Sequence, residues 1–162
     1  MISLYLPMLP PSLNKAYENI PRRKVGKKFT GGGRRLTDEG KKFKADVAQF
    51  VVKYLAAETK QLKPNAAIGL YVAFGFPDMF NRGYPEKTKA RYKKLDASNR
   101  VKILEDALTE CINFDDSQIV FSVITKYPSK EEETRLWIWN EDEEVTGARL
   151  SNAFSSLAGL NP

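Results

Sequence analysis

The 162-residue sequence contains no histidine and a single cysteine, Cys111. Without imidazole there is no histidine general base, no His-ligated zinc and no histidine-activated water. One cysteine forms neither an internal disulfide nor a cysteine zinc site, which fits a reducing, cytoplasmic setting. Long apolar runs are missing, so no segment is expected to span a membrane. The opening MISLYLPMLPPSLN lacks a basic start followed by an apolar core, and reads as a strand with a proline stop rather than a signal peptide. Acids are scarce over residues 1–102, with 8 Asp+Glu against 22 Lys+Arg, a net +14. Cations are scarce over residues 103–162, with 4 Lys+Arg against 12 Asp+Glu, a net −8. A basic half of this kind calls for a polyanionic partner whose binding weakens with salt. Any metal has to sit on oxygen ligands, which favours Mg2+ with Mn2+ as a substitute.

What is present describes one packed domain. A hydrophobic fraction of 42% and nine Phe are enough for a core without disulfides or structural metal. The pattern predicts an α+β fold, a small mixed sheet with two main helices packed on it. The folded unit is expected to end near residue 140, and residues 141–162 read as a weakly packed tail or short helix.

Ile2–Leu6 reads as a strand stopped by Pro7, and Asn14, Lys15 and Tyr17 follow on a turn. Ten cations occur between Arg22 and Lys44, flanking Gly31–Gly33. The glycines lack the spacing and closing Lys-Ser/Thr of a phosphate loop, so no nucleotide cofactor is expected. A basic loop or hairpin against a nucleic-acid backbone fits better. Thr37 is placed to cap a helix whose core face is Phe43, Val47, Phe50, Val51 and Tyr54. Ala67–Phe76 alternates cleanly as a strand. The loop Asp78–Lys94, with six Lys+Arg, then leads into Asp96 and reads as a substrate contact. Ile119–Tyr127 and Thr134–Asn140 read as the strands of an antiparallel hairpin. Trp137 and Trp139 on one face of it are expected to bury against a helix or a partner subunit.

The chemistry concentrates in Lys93–Val120, KKLDASNRVKILEDALTECINFDDSQIV. A helix over about Asn99–Ile112 buries Val101, Leu104, Leu108 and Cys111, with Ser98 as its cap and Lys102 one turn on. Asp96 precedes the helix near its positive end, and Asp115-Asp116 closes the following turn. Carboxylates from two element ends, with a lysine between, suit metal-assisted phosphodiester hydrolysis. The plainer reading makes the Asp pair a turn device and Lys102–Asp106 a surface i,i+4 ion pair.

These residues resemble the RusA family of Holliday junction resolvases, often encoded by phages and prophages. The resemblance lies in DASNRVKILEDAL, in FDDSQIV and in the opening PPSLN. It implies a small homodimer that cuts four-way DNA junctions by paired nicks with Mg2+, in DNA recombination and repair. Carried over, Asp96, Lys102 and Asp116 would be catalytic. Asp96 and Asp116 would bind metal, with Asp115 and Ser98 as further ligands. DNA contacts are expected from Asn14, Lys15, Arg22, Arg23, Lys24, Lys27, Lys28, Arg34, Arg35, Lys93, Lys94 and Arg100. Ser98 stands where many members carry a second acid. Either it holds metal through water while Asp115 supplements Asp116, or activity is reduced or altered. The competing readings are a branched-DNA-binding protein with a decayed metal site and an RNA-binding accessory protein.

Overall fold

The strand β4 (Ile68–Phe76) is buried on both faces along its whole length, so it has to lie inside a sheet with layers on either side. In the computed structural model, which describes residues 1–141 apart from Lys27, Pro64 and Asn113, it is an interior strand with β6 on one edge and β5 on the other. The side chains of Val25, Lys28, Phe29 and Thr30 also lie outside the described residues, as does the expected tail after Glu141.

The chain runs β1 (Ile2–Leu6), α1 (Leu13–Ala16), β2 (Tyr17–Val25), β3 (Lys28–Leu36), α2 (Asp38–Leu55), β4, α3 (Ser98–Thr109), β5 (Ile119–Pro128) and β6 (Glu133–Asn140). Four strands form one mixed sheet in the order β1-β6-β4-β5, and β2 pairs with β3 in a separate antiparallel ribbon. The fold is α+β, as the pattern predicts. No helix among the described residues is long and apolar enough to cross a membrane.

The even residues of β4, together with Ile2, Leu4, Leu6, Leu136 and Ile138, face α2 and α3 and form the main core. On α2, Thr37 accepts a hydrogen bond from the Gly40 N–H at 3.1 Å and so caps the helix as predicted. Its buried stripe is Phe43, Val47, Val51 and Leu55, stepping by four residues. Tyr54, expected in that stripe, is 53% exposed because it sits one position off the row.

β5 and β6 do not form the expected hairpin. β4 lies between them, parallel to β5 and antiparallel to β6. The connection crosses the end of β4 at Gly75, where a Cβ would stand 2.6 Å from Glu133 and 2.9 Å from Ser129. Glycine leaves room for that crossing, and the fully apolar β4 gains a neighbour on each edge. Parallel pairing of β4 with β5 requires a long crossover, and α3 supplies it.

The opposite face of the sheet buries Tyr71, Ala73, Trp137 and Trp139, with Phe121 and Val123 beside them. The Tyr71 and Trp137 rings lie 5.1 Å apart. Nearby, Glu133 accepts hydrogen bonds from Tyr127 at 2.6 Å and Ser129 at 2.9 Å. Burial pushes the Glu133 carboxyl up, but these bonds and Arg135 outweigh it and hold it below the ordinary range.

Candidate active site

Both ends of α3 carry the acids singled out in the sequence. At its start, Asp96 accepts from the Ser98 hydroxyl at 2.7 Å and the Asn99 backbone N–H at 3.1 Å on one oxygen. The Asn99 side chain donates to the other oxygen at 2.5 Å. Ala97 holds the cap position, the Asp96 carboxylate just before it takes up the first-turn N–H of Asn99, and Ser98, expected as the cap, is the first helical residue. The reason is reach: the carboxylate before the helix meets the free N–H of the first turn, and the shorter serine turns back to it. The hydrogen bond from Ser98, then that from Asn99, holds Asp96 below the ordinary carboxylate range.

One turn on, the Lys102 ammonium lies 2.5 Å from Asp116 Oδ2 and 3.0 Å from Asp106 Oδ1. Its pKa is raised, first by Asp116 and then by Asp106, so Lys102 remains a cation throughout the neutral range. A lysine in that state binds anions and takes up no proton. Asp106 is fixed from behind, because the Tyr17 hydroxyl donates to its second oxygen. Burial, then Asp106, pushes the Tyr17 phenol up, which keeps it a donor. Tyr17 is placed by α1, which packs between α2 and α3. Thr37 N–H donates to the Ala16 carbonyl at 2.9 Å, and a Cβ at Gly40 would approach that same oxygen to 2.6 Å. Glycine at position 40 thus permits the close contact that delivers Tyr17 to Asp106.

The second end of α3 leads through Phe114 to a 3-10 turn, Asp116–Gln118. Asp115 caps it, accepting from Ser117 N–H at 2.9 Å and from the Ser117 hydroxyl at 2.5 Å. Its own N–H donates to Gln118 Oε1 at 2.7 Å, a capping box. Ser117 holds Asp115 below the ordinary range. Two adjacent aspartates therefore do different work: Asp115 folds the turn, and Asp116 reaches across to Lys102.

Ser98 and Asp115, expected as metal ligands, have these other partners. Among the described residues, no group of three or more Asp, Glu, His or Cys is arranged to hold a metal ion. Asp96 and Asp116 do suit a hard cation in donor chemistry. They are exposed carboxylates, and Mg2+ typically takes one or two such groups and completes its shell with water and phosphate. Glu105 is half-buried within the field of Lys102, Asp116 and Asp106, and its carboxyl is pushed up chiefly by burial. The residues that sequence reasoning passed over are Tyr17 and Asp106 as a linked pair, and Glu105. The i,i+4 spacing signals Lys102–Asp106, but nothing local signals the partner 89 positions away.

The expected DNA contacts divide. Arg22, Arg23, Lys24 and Arg34 lie exposed on the β2–β3 ribbon, and Asn14 and Lys15 are exposed on α1. Arg35 pairs with Glu18 at 2.7 Å, and Lys93 pairs with Asp78. Lys94 is exposed. Arg100 is turned inward, donating to the Pro10 carbonyl with its guanidinium 5.6 Å from the Phe76 ring centre. Lys27 and the Lys28 side chain lie outside the described residues.

The sequence model of one family, described as Endodeoxyribonuclease RusA, matches residues 15–139, a span that includes Tyr17, Asp96, Lys102, Asp106 and Asp116. No curated protein matches the chain.

Proposed function

The chain belongs to the Endodeoxyribonuclease RusA family, and on that premise we propose that it is a Mg2+-dependent, structure-selective endonuclease. It resolves four-way DNA junctions by paired, symmetric nicks and acts as a homodimer in DNA recombination and repair. A twofold dimer matches the substrate, because a junction presents symmetry-related strands to two identical sites.

The observation that carries this reading is Lys102, a permanent cation held by carboxylates on two sides. In phosphodiester hydrolysis, water attacks phosphorus and negative charge builds on the non-bridging oxygens as the P–O3′ bond breaks. A cation already fixed in place stabilises that charge without reorganising. Lys102 meets this need, because the carboxylates of Asp116 and Asp106 favour its charged form. Asp106, held by Tyr17, is a positioning residue for it. Asp96 and Asp116 would hold Mg2+, which when bound supplies charge neutralisation and an activated water. In this scheme Ser98 keeps Asp96 ionised and aimed, and Asp115 holds the turn that presents Asp116. Arg22, Arg23, Lys24 and Arg34 contact phosphates and set the register of the DNA.

A second reading, a branched-DNA-binding protein without cleavage, is favoured by one observation: among the described residues no group of three or more acids is arranged to hold a metal ion. Incubating the full chain with a synthetic four-way junction and a matched linear duplex separates the two. The expected result is symmetric nicks in the junction with Mg2+, leaving 5′-phosphate and 3′-hydroxyl ends, and an uncut duplex. Junction binding without nicks at any Mg2+ or Mn2+ concentration selects the second reading.

A further inference from the structure

The segment between β4 and Asp96 shows apolar rings to solvent. Phe80 is 41% exposed and Tyr92 is 49% exposed. Their ring centres lie 5.4 Å apart, and the Arg91 guanidinium stands 5.9 Å from one and 5.7 Å from the other. We propose that Phe80 and Tyr92, with Arg91 across them, form a stacking platform for a nucleobase left unpaired at the branch of the DNA substrate. In that detail the proposal rests on the junction-cutting reading above.

Three observations support it. First, the rings are held. Phe80 and Tyr92 bridge antiparallel, Lys93 N–H donates to Met79 O at 2.9 Å, and Asn81 Nδ2 donates to the carbonyls of Ala90 at 2.6 Å and Tyr92 at 3.0 Å. A surface that keeps two aromatics out of the core on a built scaffold is a binding surface rather than a loose loop. Second, the platform is joined to the site. Lys126 Nζ donates to the Leu95 carbonyl at 2.9 Å, which pins the chain between Tyr92 and Asp96. Third, the surrounding charge selects the partner. Lys87, Lys89, Arg91 and Lys94 are all exposed in this segment. In a twofold contact between copies the same patch would meet itself, so these cations would repel. A polyanion with an accessible π-face meets both the rings and the charge.

The test is binding by the full chain in EDTA, so that nothing is cut, across a salt series. The probes are a 20-residue oligothymidylate, a four-way junction and a linear duplex. Phe80→Ala/Tyr92→Ala should weaken oligothymidylate and junction binding by about 10-fold or more. Duplex affinity and the slope of log K against log salt should hold, because no cation is removed. Phe80→Tyr/Tyr92→Phe should retain full affinity. In wild type, a junction carrying 5-iododeoxyuridine at the branch should photocross-link to Phe80 or Tyr92. Three results overturn the proposal: wild-type affinity in the alanine variant, cross-links that avoid both residues, or an alanine variant whose sedimentation changes from dimer to monomer. The oligothymidylate arm does not depend on cleavage. Loss of that binding in a protein that never nicks junctions keeps the platform and removes the nuclease reading. Junction cutting with unimpaired binding in the alanine variant does the reverse.

Discussion

The two ends of α3 use their carboxylates in opposite ways. At the start, Asp96 is satisfied by residues two and three places along the chain. Beyond the far end, Asp116 leaves its own turn to its neighbour Asp115 and pairs with Lys102 back on the helix. Lys102 is in turn tied through Asp106 to Tyr17, a residue from a distant part of the chain. Local bonds fix where an acid sits and keep it charged. The bonds across elements fix where the cation sits, and on this account that placement is what makes a site of it.

The largest effects are expected at the cross-element end. Asp116→Asn removes a carboxylate from Lys102 and from the proposed metal. Single-turnover junction cleavage should fall by about 100-fold or more, with junction affinity measured by anisotropy unchanged. Tyr17→Phe keeps the packed ring and deletes only the hydroxyl on Asp106. Cleavage kcat should drop by about 10-fold while KM and melting temperature hold, because misplacing a catalytic group lowers turnover rather than binding. A matching loss of Tm would reduce Tyr17 to a packing residue.

Local changes should do less to the chemistry. Asp115→Ala removes the turn's cap and should lower the midpoint of chemical unfolding slightly. Its effect on cleavage should be weaker than that of Asp116→Asn. Ser98→Ala removes the first donor that keeps the Asp96 carboxyl low. Loss of that bond favours the protonated form, so the pKa rises and the acid limb of the pH–rate profile should move to higher pH. An unmoved limb would separate Asp96 from the titration that governs activity.

The same contrast explains what could be read without coordinates. The Thr37 cap, the alternation of β4 and the order Asp96–Lys102–Asp116 are short-range signals, and the structure contains those elements. A hydrogen-bond donor within three residues of an acid leaves a trace in spacing. Tyr17 on Asp106 leaves none, and neither does Arg100 on the Pro10 carbonyl, since each joins segments that only the packing brings together. The placement of β4 between β5 and β6 has the same origin. Two strands with a short connection read as a hairpin, and only the demand of β4 for a neighbour on both edges inserts it between them.

Lys102 is the point on which the account turns. Lys102→Ala and wild type should be compared in single-turnover cleavage of one four-way junction at saturating Mg2+, with binding measured on the same preparations. The account predicts symmetric nicks by wild type and none by the variant at equal junction affinity. Nicking by Lys102→Ala at the wild-type rate would contradict it.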